Sequence, residues 1–227
     1  MTIAVPNLRD VGGVRGLGGA TVRTGRLLRS ALPAASDVTP EGTPWPPALV
    51  LDLRSPAEWQ DADHPLAPLG ARVRSLPLLE SLRPDWYADA TLVSLYGLVL
   101  DDASALLVDL VGEVAACEGP ALVHCAAGKD RTGIAAALVL RLLGASHDDV
   151  VADYLLTEAA QDEIDARLRP QRAARTGVHP SFYAVPREAI ELVLDRWDAH
   201  PGGVERWFLD AGGDPSTLAR LRDTMLD

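Results

Sequence analysis

The short apolar run Ala121-Leu122-Val123-His124 is followed at once by Cys125-Ala126-Ala127-Gly128-Lys129-Asp130-Arg131, and then by an alanine- and leucine-rich run from Thr132 to Leu143 closed by Gly144. This order predicts a buried strand, a tight glycine-containing loop and a buried helix with a glycine stop. A chain built this way folds as an α/β protein, and in open α/β sheets ligands bind beyond the carboxyl ends of the strands, where this loop falls. A second continuous apolar run, Ala48-Leu49-Val50-Leu51-Asp52-Leu53, predicts another strand covered on both faces.

The rest of the chain fits around these two strands. The first third is punctuated by Gly12-Gly13, Gly16, Gly18-Gly19 and by Pro40, Pro44, Pro46 and Pro47, which suit short strands and turns. Helical spacing predicts helices over 101–117, 148–157, 160–168, 186–197, 204–210 and 215–226. The expected fold class is therefore α/β, a central mixed sheet flanked by helices with a helical C-terminal shell, and all 227 residues form one domain. Residues 158–180 are polar and carry Arg167, Arg169, Arg172 and Arg175, which suits either a solvated helix and linker or a helical lid.

Charge narrows the partners. With 21 basic against 32 acidic residues the chain carries −11, which repels nucleic acid and anionic headgroups over most of the surface. Any anion has to be met locally, and the only lysine among those 21 basic residues is Lys129, inside the loop. The two cysteines, Cys117 and Cys125, offer neither a disulfide framework nor metal-ligand spacing, and suit a reducing compartment. No signal sequence or apolar stretch of about 18 residues is visible, so a soluble, cytoplasmic protein without stable membrane insertion is expected; export without a signal peptide stays compatible.

The loop has the composition of an anion-binding nucleophile. A thiol attacks phosphorus as the thiolate, which an electropositive setting favours. Loop amides and the N-terminus of the following helix supply positive dipole ends at Cys125, and Lys129 and Arg131 add full charges. Ala126, Ala127 and Gly128 leave room for the backbone to curl around three phosphate oxygens, with Asp130 in the same loop and Arg131 offering a bidentate fork. His124 is expected to shape the loop through backbone hydrogen bonds. Thr132 is either a donor to the sulfur or a plain helix residue, and Cys117, on an apolar helix face, is expected in the core. Gly16-Leu17-Gly18 lacks the rest of a dinucleotide fingerprint.

His124-Cys125, five residues, Arg131-Thr132 resembles the signature of the protein tyrosine phosphatases. The run His124-Cys125-Ala126-Ala127-Gly128-Lys129-Asp130-Arg131-Thr132-Gly133 is most similar to bacterial members related to phosphoinositide phosphatases. Residues 7–13, 25–30, 52–55 with Glu58, and 153–157 also look like that family's pattern. The resemblance implies a tyrosine-phosphatase-like fold and hydrolysis of protein phosphotyrosine, with phosphoserine and phosphothreonine as further substrates, through a cysteinyl-phosphate on Cys125. No cofactor or metal is implied. Asp130, which this branch carries, is the first candidate for general acid. Asp85, in the imperfect Trp-Pro-Asp echo Arg83-Pro84-Asp85-Trp86, is second. Asp52 at its strand end is third, with a turn and a salt bridge to Arg54 as the plainer roles of Asp85 and Asp52. The alternatives are a phosphoinositide phosphatase, favoured by Lys129 as an added cation, a rhodanese-type sulfurtransferase, and a non-catalytic phosphate-binding module.

Overall fold

The computed structural model describes residues 4–59, 63–79, 91–173 and 180–227, with side chains described except at 170–173, 180 and 181. Its sheet has strands β1 (Arg9–Asp10), β2 (Leu27–Ser30), β3 (Leu49–Asp52), β4 (Arg72–Ser75) and β5 (Ala121–His124) in the order β1-β2-β5-β3-β4. β1 runs antiparallel to β2 and every other pair is parallel, so the sheet is mixed, as expected. The helices are α1 (Pro56–Trp59), α2 (Leu92–Asp102), α3 (Ser104–Ala116), α4 (Asp130–Leu142), α5 (His147–Leu155), α6 (Gln161–Ala173), α7 (Arg187–Ala199), α8 (Gly203–Asp210) and α9 (Pro215–Met225).

Strand periodicity divides the core. Leu27, Leu49, Leu51, Ala121 and Val123 face the larger cluster, together with Ile134, Leu138, Ile190 and Trp197 from the helices. Leu28, Val50 and Leu122, one residue out of step, face a smaller cluster with Leu66 and Ala71, edged by Leu8, Trp45 and Val73. Helices therefore cover one face, and the other is closed by connecting segments. Each fully buried leucine contributes about 1.5–3 kcal/mol, so even four-residue strands hold register.

β5 lies between β2 and β3, and the helix that follows it, α4, buries ten of its thirteen residues. Its alanines let α3, α5, α7 and α8 approach from several sides. Gly144 ends it in the left-handed region at φ 86°. The helix expected over 101–117 is interrupted: Ala103 leaves helical geometry at φ −116°, ψ 16°, and separates α2 from α3. α2 up to Leu100, opened by a Thr91–Ser94 capping box, and β4 lie where no element was expected. β4 offers only one apolar side chain in Arg72-Val73-Arg74-Ser75, and its arginines turn out to Glu113 at 2.8 and 3.3 Å.

Of the stretch 158–180, α6 covers 161–173, where Ile164 is buried and Arg167 grips Asp37 at 2.7 Å and the Leu32 carbonyl at 3.1 Å. Residues 174–179 lie outside the described set.

Candidate active site

Sheet register places the loop. Ser30 of β2 and Asp52 of β3 both pair with His124, the last residue of β5, so Cys125 emerges between two strand ends. It is 2% exposed. The next residues form a bowl whose carbonyls are all accounted for. The Cys125 carbonyl accepts from His124 Nδ1 at 3.0 Å, and the Ala126 carbonyl from Leu32 N–H at 3.1 Å. Asn7 Nδ2 donates to the Gly128 carbonyl at 2.8 Å and to that of Ala127 at 3.4 Å. Arg29 Nη2 donates to Gly128 O at 2.9 Å, and Gly133 N–H to Lys129 O at 2.7 Å.

A peptide unit is planar and trans, so its N–H points opposite to its carbonyl. With the carbonyls of residues 125–129 engaged by His124, Leu32, Asn7, Arg29 and, within α4, Gly133, the N–H groups of residues 126–130 each point away from those partners. The geometry needs Gly128, whose φ is +65°. A Cβ there would lie 2.2 Å from both the Ser30 carbonyl carbon and oxygen.

Arg29, which closes the outer side of the bowl, is fully buried. Its charge is met by Asp153 of α5, which also accepts from Arg9 Nε at 2.8 Å. Burial alone would raise the Asp153 carboxyl, but the charges of Arg29 and Arg9 hold it below the usual range. Packing is tight here too: a Cβ on Gly133 would meet the Tyr154 ring at 2.9 Å.

Arg131 is oriented by Glu58. Nη1 donates to Glu58 Oε2 at 2.6 Å and to the Leu53 carbonyl at 3.2 Å, and Nη2 donates to Oε1 at 2.8 Å. A guanidinium has five N–H donors. Three are engaged among the described residues, which leaves one on Nε and one on Nη2 as a side-on fork. Against the opposing effect of burial, the Glu58 hydrogen bonds and the charges of Cys125 and Glu58 hold Arg131 firmly protonated. Burial would likewise raise the Glu58 carboxyl, yet Arg131 holds it down at about 2.

The acidic candidates separate. Asp130 begins α4 and accepts from Tyr96 Oη at 3.0 Å, and Tyr96 is itself 2.9 Å from Tyr154 Oη. Burial first, and then the charge of Asp130, raise the Tyr96 phenol, so it stays a donor. Asp52 is fully buried and takes hydrogen bonds from Arg54 Nη2 at 2.7 Å and Nε at 3.0 Å. It is the salt-bridge partner of Arg54, its plainer role, rather than a free acid. Asp85 lies outside the described residues.

Lys129 departs from expectation. Its side chain is buried, and Nζ donates to the carbonyls of Phe182 at 2.9 Å and Ala184 at 2.7 Å. The point charge expected to face an anion ties the loop to the segment ahead of α7, and its Nζ also lies 3.6 Å from Asp130 Oδ1. The physical reason is length: a four-carbon stem from the start of α4 reaches those carbonyls, and a buried ammonium needs acceptors. The Thr132 hydroxyl is buried with no hydrogen-bond partner among the described residues. Cys117 is buried at the end of α3 and donates to the Gly119 carbonyl at 3.3 Å.

Asn7, Arg29, Glu58, His64, Tyr96, Asp153 and Tyr154 were not among the expected site residues. Asn7, Arg29, Glu58, Asp153 and Tyr154 do fall within the segments that carry the family resemblance, which was the available signal. His64 and Tyr96 gave none.

Residues 2–227 match the tyrosine phosphatase family. A Cupriavidus necator protein named as a putative tyrosine-protein phosphatase is 34% identical over 230 residues, covering 91% of this chain and 81% of that protein. The triple specificity protein phosphatase PtpB of Mycobacterium tuberculosis is 33% identical over 128 residues, 47% of this chain and 44% of its own length. A tyrosine-protein phosphatase of Nostoc commune is 48% identical over 116 residues, 46% of this chain and 38% of its own length. The chain thus aligns with most of the first relative and with less than half the length of the other two.

Proposed function

Since the chain belongs to the tyrosine phosphatase family, we propose that it is a single-domain, cysteine-dependent protein phosphatase that hydrolyses phosphotyrosine, and phosphoserine and phosphothreonine as well. The observation that supports this reading is that the carbonyls of residues 125–129 are all engaged, which leaves the N–H groups of residues 126–130 pointing away from those partners and available to an anion.

In the proposed reaction the Cys125 thiolate attacks phosphorus in line. A P–S bond forms, the P–O bond to the leaving group breaks, and the electron pair goes to the leaving oxygen. The nest of amides, those of Lys129 and Asp130 included, together with the Nε/Nη2 fork of Arg131, meets the equatorial oxygens as their charge redistributes. Asp130 gives the leaving oxygen its proton and in the second step accepts one from the attacking water, which releases the thiolate and inorganic phosphate. The buried Thr132 hydroxyl is available to donate to the departing sulfur. No step calls on a metal or cofactor. The phosphoinositide alternative leaned on Lys129 as an added cation, and an ammonium already on the Phe182 and Ala184 carbonyls gives it no support.

The test is turnover of p-nitrophenyl phosphate and of a phosphotyrosine peptide. Cys125→Ser and Arg131→Ala are expected to abolish phosphate release and Cys117→Ser to leave it intact; activity retained in Cys125→Ser refutes the mechanism. Asp130→Asn is expected to lose rate on alkyl phosphates and to keep it on p-nitrophenyl phosphate, whose nitrophenolate leaves unaided. Equal losses on both would assign Asp130 to loop structure.

A further inference from the structure

His64 is 5% exposed and His124 is fully buried, and their Nε2 atoms lie 2.9 Å apart. The proton positions follow from what each ring touches at its other nitrogen. His64 Nδ1 lies 3.1 Å from the Leu66 backbone N–H, which only donates, so this Nδ1 is an acceptor and the proton of a neutral His64 sits on Nε2. His124 Nδ1 lies 3.0 Å from the Cys125 carbonyl, which only accepts, so this Nδ1 carries the proton and His124 Nε2 is an acceptor. One arrangement satisfies all three contacts: Leu66 N–H to His64, His64 Nε2–H to His124, and His124 Nδ1–H to the Cys125 carbonyl. Both rings are then neutral.

The surroundings agree with two neutral rings. Among the described residues, the charged groups facing the pair are Asp52, 3.8 Å from His124 Nε2, with Arg54 beside it and Arg131 near His124. Burial, and then the neighbouring His124, bring His64 down to about 4; burial also lowers His124. Asp52 does not capture either ring, because Arg54 holds both its oxygens.

Asp52, His64 and His124 also have the composition of a metal site, with ligand atoms within 4.8 Å of one another. Two imidazoles on one tetrahedral zinc, at about 2.0–2.1 Å each, stand roughly 3.3 Å apart. The 2.9 Å separation is that of a hydrogen bond, and the proton account closes without an ion.

We infer that His64 is a positioning residue of the phosphatase site: by donating to His124 Nε2 it fixes His124 as the Nδ1–H tautomer, which holds the Cys125–Ala126 peptide with its N–H turned toward the nucleophile. This rests on Cys125 being that nucleophile. The link runs through one planar peptide. If His124 carried its proton on Nε2 instead, an acceptor would face the Cys125 carbonyl and the peptide would lose the hydrogen bond that holds that carbonyl.

Three variants of the full chain test it. His64→Phe fills the space without a donor. His64→Asn can still accept from Leu66 N–H but is too short to reach His124. His64→Gln reaches both, accepting through Oε1 and donating through Nε2. The readouts are kcat/KM on p-nitrophenyl phosphate and the pH dependence of iodoacetamide alkylation, followed on the Cys125 peptide by mass spectrometry, with folding checked by circular dichroism.

Expected for Phe and Asn is a fall in kcat/KM of about tenfold or more, the scale of one lost hydrogen bond that holds a reacting group. Their alkylation midpoint should move up by about half a pH unit or more, and Gln should restore most of both. If Phe does not fold, Asn against Gln decides. Equal behaviour of Asn and Gln, lost activity with an unmoved alkylation profile, or one equivalent of zinc in the wild type that disappears in His64→Asn would each overturn the inference. An active Cys125→Ser control would instead overturn the phosphatase reading on which it rests.

Discussion

Glu58→Gln isolates the charge that Arg131 faces while keeping the side chain's shape. In the folded chain the Glu58 carboxyl is held down from an ordinary 4.5 to about 2, against burial, by its hydrogen bonds to Arg131 and by that residue's charge. A shift of that size corresponds to about 3 kcal/mol of preference for the ionised form. Glutamine, like a protonated carboxyl, offers Arg131 one neutral oxygen and turns a hydrogen-bond donor toward the other guanidinium nitrogen. The side chain is 23% exposed, so water screens part of the interaction, and a loss of about 2–3 kcal/mol at neutral pH is expected.

The sign of the pH dependence follows. A depressed folded-state value contributes stability that is full above 4.5 and is lost as pH falls toward about 2. The gap between wild type and variant should therefore be complete at about pH 7 and roughly half as large at about pH 3. Urea denaturation followed by tryptophan fluorescence at both pH values measures it. A gap under about 1 kcal/mol at neutral pH, or one that does not narrow in acid, refutes the account of Arg131 as an arginine oriented by a charged partner. Activity should fall with it by about tenfold or more, because the Nε/Nη2 fork loses its orientation.

Two further substitutions probe the loop. Gly128→Ala forces a side chain into the left-handed region and against the Ser30 backbone at 2.2 Å; a stability loss of about 2–5 kcal/mol and loss of phosphatase activity are expected in denaturation and turnover assays. Lys129→Met removes the ammonium from the Phe182 and Ala184 carbonyls and should cost about 2–4 kcal/mol in urea denaturation, while KM for p-nitrophenyl phosphate stays within about threefold. A KM raised more than about tenfold with little loss of stability would return Lys129 to the anion site.

What the amino-acid order determined by itself is local. Cys125, Gly128 and Arg131 lie within one short loop between an apolar run and an alanine-rich run, so strand, turn and helix follow from period, residue size and the special backbone of glycine. The helices of the C-terminal shell were legible for the same reason, and β4 was not, because Arg72-Val73-Arg74-Ser75 buries too little to show a pattern. Tertiary structure alone decided where the long side chains end. Asn7 and Arg29 hold the Gly128 carbonyl from 121 and 99 residues away, and Glu58 takes Arg131 across 73. Sheet register brings those segments to the carboxyl end of β5, and nothing in the spacing of Lys129 announced that its ammonium would find the Phe182 and Ala184 carbonyls. A charged side chain's role depends on which acceptors the fold sets within its reach, whereas the loop's capacity to curve around an anion is written in seven consecutive residues, Cys125 to Arg131.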